Sequence, residues 1–271
     1  MDAKGKGCGC PEVAFWKYVG VMGYPISGGQ FEARIAGDAG RWQGFVDPQR
    51  AYELAERIQH WPAWLAAVFL TLGFLLSLML GMNGVAQLGM LHLPAIWLSV
   101  LLMVVVVFWS VVGLSVGSPL PLLMAQAVAP TGAMFTFLAL WSGALWARAV
   151  EGAWWIGDAR QVAEMALFAL NLVIVALPTL VAGERNIDRA VCGTAVCGGA
   201  LVSVVFFLVD GWQRFGAPAV PGLLADLRLL WPMLLVGAGL WFYATYVALV
   251  RLRCLIKERE YGLSELFAAR W

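Results

Sequence analysis

The sequence predicts an all-α polytopic membrane protein with about six transmembrane helices and both termini cytoplasmic. Composition is one reason: 61% of the 271 residues are hydrophobic and 13% charged, at a mean hydropathy of +0.78. Soluble domains are roughly half apolar and one-quarter charged. A second is the occurrence of six apolar runs, at residues 61–82, 94–116, 121–146, 162–182, 191–209 and 229–250. Each is near the ~20 residues that cross a ~30 Å hydrocarbon core as a helix. The third is the placement of basic residues. With six spans both ends share a side, which holds seven Lys and Arg before the first span, two in "GERNIDR" and five in the tail. The other side holds Arg148, Arg160, Arg214 and Arg228. Basic residues favour the cytoplasmic side, so the loops with Trp154, Trp155 and Trp212 face outward.

Three regions follow in order: a cytoplasmic extension with an interfacial helix (1–60), a six-span membrane domain (61–250) and a basic cytoplasmic tail (251–271). Residues 1–45 are polar and Gly-rich, with no clear period, and read as irregular or partner-dependent. No positive segment leads into a short apolar one there, so no cleavable secretion signal is expected. In "DPQRAYELAERIQH" (47–60), Asp47 is a plausible N-cap and Pro48 the first helical residue, with Tyr52, Leu54, Ala55 and Ile58 toward one side. This predicts a short helix lying at the membrane surface. The second span is expected to begin at Pro94, after a short loop containing Asn83 and Gly84. A tight turn, "VGSPLP", must join spans two and three, because Pro119 and Pro121 forbid ordinary helix before them.

The composition also excludes classes. A net charge of +1 argues against a nucleic-acid binder. Five scattered cysteines make no disulfide framework, and Cys8 with Cys10 falls short of a four-coordinate metal site. There is no Walker sequence and no Gly-rich dinucleotide turn, and two histidines assemble no Ser-His-Asp arrangement. Arg160 and Glu164 have the spacing of a helix-surface ion pair, and Gln126 and Asn171 lie deeper in their spans, where polar groups join helices. His60 sits at the cytoplasmic surface, where an amphipathic side chain is ordinary. His92, in "GMLHLPAIW", sits just before Pro94 near the outer leaflet, where an imidazole either coordinates iron or bonds a nearby backbone group. In "LWARAVEGAWWIGDAR", Trp154 and Trp155 offer either flat surfaces for a macrocycle or an interfacial aromatic belt, and Arg160 is a partner for carboxylates.

From about Asp47 to Arg259 the order of elements resembles the haem exporter protein C family of cytochrome c maturation, also called CcmC. The likeness is densest in "LHLPAIW" (91–97), "APTGAMFTFLALWSGALW" (129–146) and "GAWWIGDARQVAE" (152–164), the last corresponding to that family's Trp-rich signature. The resemblance implies a multi-pass protein of the bacterial inner membrane that binds haem b transiently at its outer face and presents it to a periplasmic haem chaperone. It implies as partners an ABC-type ATPase, a membrane subunit and a small single-span subunit, within the lipid bilayer. Any ATP hydrolysis would then belong to a partner, and this chain is not expected to be an enzyme. By position, His92 matches the first axial histidine and is the metal ligand. Gly152, Trp155, Asp158 and Arg160 match the signature, with Trp154 at its other aromatic position.

Three departures fall on the same outward surface. Glu151 and Gly157 stand where the signature has tryptophan, and Phe206 stands at the second axial position. The sixth iron ligand is then expected from the chaperone. The extension before Asp47 is a further departure, read as a docking element. Two other readings stay open: a homologous scaffold subunit that has lost haem binding, and a carrier with a midplane site at Gln126, Pro130 and Pro178.

Overall fold

A computed structural model describes residues 48–82, 84–155, 157, 159–181, 184–206 and 227–268. Among them seven helices and no strand occur: α1 (Pro48–Ile58), α2 (His60–Met79), α3 (Gly84–Val116), α4 (Pro119–Glu151), α5 (Ala159–Leu180), α6 (Glu184–Phe206) and α7 (Leu227–Ala268). The all-α membrane class therefore holds. Arg50–Met79, Gly84–Val116, Pro119–Glu151, Gln161–Leu180 and Leu230–Glu258 are long and apolar enough to cross a membrane. At 23 residues α6 is also long enough to cross, although its first turns carry Glu184, Arg185, Asp188 and Arg189. The expected irregular segment 1–45, with Cys8 and Cys10, lies outside the described residues, as does Trp212.

Two element starts differ from expectation. Helix α3 begins at Gly84, ten residues before Pro94, which lies inside it. Residues 84–93 are largely apolar and in lipid must satisfy their own backbone groups, so helix continues through them despite the bond lost at Pro94. "GERNIDR" is likewise mostly helix rather than loop, with Glu184 opening α6. Burial of Ile187 and Asp188 pulls that turn into the bundle. The turn between α3 and α4 is as tight as expected. Gly117 takes φ +69, a region open to glycine, and Ser118 is extended ahead of Pro119 at the first helical position.

Helices α3 and α4 make the most extensive contact, followed by α2 with α7. The α3–α4 hairpin keeps one register along its length: Gly89 faces Trp146, His92 faces Gly143, and Gly113 faces Leu122. The α2–α7 seam is closer still at the backbone. A Cβ on Gly239 would stand 2.9 Å from the Leu70 amide nitrogen, and one on Gly73 3.1 Å from that of Val236. A core of Leu102, Val106, Phe135, Ile174, Val191 and Ala195 joins α3 to α6. Of the two deep polar residues, Gln126 Nε2 donates across to Asp188 Oδ1 at 2.9 Å, tying α4 to α6. Asn171 instead donates to Leu167 O within α5 and rests its Oδ1 against Gly132. An interhelical hydrogen bond in a bilayer averages about 0.6 kcal/mol, so close packing at small residues contributes most of the cohesion.

At the end of the bundle where α1 and α2 begin, one arginine holds α1. Arg253 of α7 donates to Gln59 Oε1 (2.6 Å), Tyr52 Oη (2.9 Å) and Glu56 Oε1 (2.9 Å). Its guanidinium also lies 4.7 Å from the Tyr52 ring centroid. Tyr52, Ala55 and Glu56 share one side of α1, with Gln59 directly after it, while Leu54 and Ile58, expected on the side of Tyr52 and Ala55, are exposed on another. A hydrogen bond to a charged group contributes about 2 kcal/mol. Arg253→Met is therefore expected to speed amide hydrogen exchange across residues 48–59 roughly 30-fold. Unchanged exchange would show that Arg253 does not hold α1.

Candidate haem-handling site

The beginning of α3, the end of α4 and the start of α5 lie at one end of the bundle, because α3–α4 and α4–α5 are antiparallel neighbours. His92 lies on α3 eight residues beyond its start, about 12 Å along the axis. It is thus inside a helix rather than at the mouth of a span. The ring is partly buried against α4. Its Nδ1 lies 3.0 Å from Ser142 Oγ, and a Cβ on Gly143 would stand 2.9 Å from its Cε1. Only a residue without a side chain admits the imidazole this close. One turn nearer the helix ends, Gly89 admits the Trp146 ring in the same way.

The α4–α5 connection forms the rim. Helix α4 ends at Gly152, whose φ of +78 is the left-handed cap that glycine supplies without strain. Arg148 donates to the Gly152 carbonyl, and its guanidinium sits 5.9 Å from the Trp154 ring centroid. Trp154 and Trp155 are 57% and 48% exposed, so about half of each indole surface is open. Gly157 also has a left-handed φ, +72, and its N–H donates to Gln161 Oε1 at 3.2 Å. A tryptophan at that position would carry backbone strain, so Gly157 is a turn residue here. Asp158 lies outside the described residues; Arg160 is in the first turn of α5, and its side chain is not described. The expected Arg160–Glu164 pair therefore rests on an undescribed partner, while Glu164 itself is buried. Phe206 ends α6, with its side chain likewise undescribed. Among the described residues no three His, Cys, Asp or Glu side chains gather as a metal site.

A family model described as heme exporter protein C matches residues 41–266. The chain belongs to the heme exporter protein C family. Heme exporter protein C of Bradyrhizobium diazoefficiens is 29% identical over 235 residues, covering 83% of this chain and 89% of that protein. Its counterpart in Escherichia coli K12 is 27% identical over 236 residues, 82% and 95% of the two chains. That of Haemophilus influenzae is 35% identical over 138 residues, 49% and 56%. The matched residues run from before α1 into the last turn of α7, so all but the last two described residues fall within the family model.

Within this heme exporter protein C fold, Gly152, Trp154 and Trp155 come together with Arg148 at the rim. His92 lies deeper, since Ser142 is ten residues before Gly152 on α4, about 15 Å along the axis. Ser142, Gly143 and Arg148 were not singled out by sequence reasoning. "WSGALW" (141–146) held a usable signal: a hydroxyl next to a glycine in an apolar run marks a close approach by another element. For Arg148, the signal was its position one turn before a glycine helix cap.

Proposed function

We propose that this member of the heme exporter protein C family binds haem at the external face of the bacterial inner membrane and presents it to a periplasmic haem chaperone during cytochrome c maturation. The observation that carries this reading is the seat of His92 on Ser142 and Gly143, below a rim with two half-open indoles. One imidazole fits one axial position on iron. Trp154 and Trp155 offer flat apolar surface to the macrocycle, and Arg160 a charge partner for a propionate. Asp158 keeps the signature in sequence. With Phe206 at the second axial position, the sixth ligand comes from the chaperone. Binding and release of haem need no covalent chemistry by this chain. It is a membrane subunit and not an enzyme, working with an ABC-type ATPase, its membrane partner and a small single-span subunit.

In this reading both termini are cytoplasmic, as the basic residues favour. Helix α1 lies along that surface of the bilayer with Leu54 and Ile58 toward lipid. The test is to purify the chain in mild detergent, expressed with and without its neighbouring maturation subunits, and to record its visible spectrum. A haem Soret band is expected. Partners that copurify with no haem under either condition would favour the scaffold reading, which Glu151 and Phe206 motivate.

A further inference from the structure

Ser142 is 1% exposed, and three neighbours compete for its hydroxyl. Its Oγ lies 2.6 Å from the Leu138 carbonyl oxygen, 3.2 Å from that of Ala139, and 3.0 Å from His92 Nδ1. A hydroxyl has one proton, and two oxygens 2.6 Å apart with no proton between them repel. The serine proton therefore lies toward Leu138 O. The Ser142 oxygen is left as an acceptor, and Nδ1 must be the donor. A neutral imidazole protonated at Nδ1 carries its lone pair at Nε2. Bare backbone at Gly143 lets the ring come close enough for this bond.

We propose that Ser142 is a positioning residue for His92. By accepting the Nδ1 proton it holds the Nδ1–H tautomer and the ring's rotation, so that Nε2 is the nitrogen presented to iron. The second half of this rests on the haem reading above; the tautomer does not. A metal-bound histidine is commonly oriented in this way through its other nitrogen, and loss of such a partner costs about 10–100-fold in metal affinity.

The chain has two histidines, so isotope-labelled histidine gives two ring systems in a nuclear magnetic resonance spectrum, assigned with His60→Gln. Recorded at about pH 8, where an ordinary imidazole is neutral, the His92 ring of the wild type is expected to be protonated at Nδ1. Ser142→Ala is expected to shift it toward Nε2–H, and Ser142→Thr to preserve the wild-type state. In haem titrations, Ser142→Ala is expected to bind at least tenfold more weakly, with Ser142→Thr restoring affinity. A wild-type ring protonated at Nε2, or a tautomer unchanged in Ser142→Ala, overturns the proposal. The wild-type spectrum alone decides if Ser142→Ala does not fold. A tautomer that shifts while haem affinity stays constant upholds the Ser142 assignment and removes His92 Nε2 as the iron ligand.

Discussion

Replacing His92 with alanine is expected to remove haem from the purified protein, while His60→Ala leaves it bound. His92 lies in the α3–α4 seam on the side of the Trp154–Trp155 rim, and His60 is exposed at the start of α2, by the α1 clamp. Removing a residue that merely orients a metal ligand costs about 10–100-fold in affinity, so loss of the ligand itself costs on the order of 100-fold or more. The measurement is the Soret absorbance per protein for the three proteins purified in parallel. Equal haem in His92→Ala and wild type would eliminate His92 as the iron ligand. The deleted ring leaves a gap beside Gly143, so a thermal unfolding curve should accompany the spectrum to show that the bundle persists.

The largest loss of stability is expected from Gly239→Leu in the α2–α7 seam. A Cβ there meets Leu70 Cγ at 2.7 Å and the Leu70 amide nitrogen at 2.9 Å. A side-chain tip could rotate aside, but the backbone of α2 moves only if the whole helix shifts. Overpacking a close contact costs typically about 1–3 kcal/mol, and the backbone clash puts this site at the upper end. Gly193→Leu on α6 is the control, because a Cβ at Gly193 meets nothing within 4 Å. Thermal unfolding in detergent should separate the two clearly. Equal midpoints would mean that α2 and α7 are not held by close backbone approach.

The helices were legible in the sequence because lipid demands long apolar runs, a signal that needs no tertiary information. Their ends were less so. Pro94 suits a first helical turn, and only the continuous helix through residues 84–93 shows it as an interior proline. "GERNIDR" has the charge of a loop, yet Asp188 is drawn inward to accept from Gln126, a partner 62 residues away. The candidate site divides in the same way. Gly152, Trp154 and Trp155 were readable as a local motif, whereas the Ser142 and Gly143 seat of His92 joins residues about 50 positions apart, which no local pattern encodes. Gly157 looked like a lost aromatic until its positive φ gave it a backbone role.

Helix α7 runs unbroken for 42 residues, through the end of its apolar run to Ala268, a length of about 63 Å. That is about twice the hydrocarbon thickness of a bilayer. Near one end Gly237 passes against Pro94, two residues from His92, and further along Arg253 grips α1. One continuous helix thus joins the α1 clamp to the neighbourhood of His92 across the 16 residues from Gly237 to Arg253, about 24 Å.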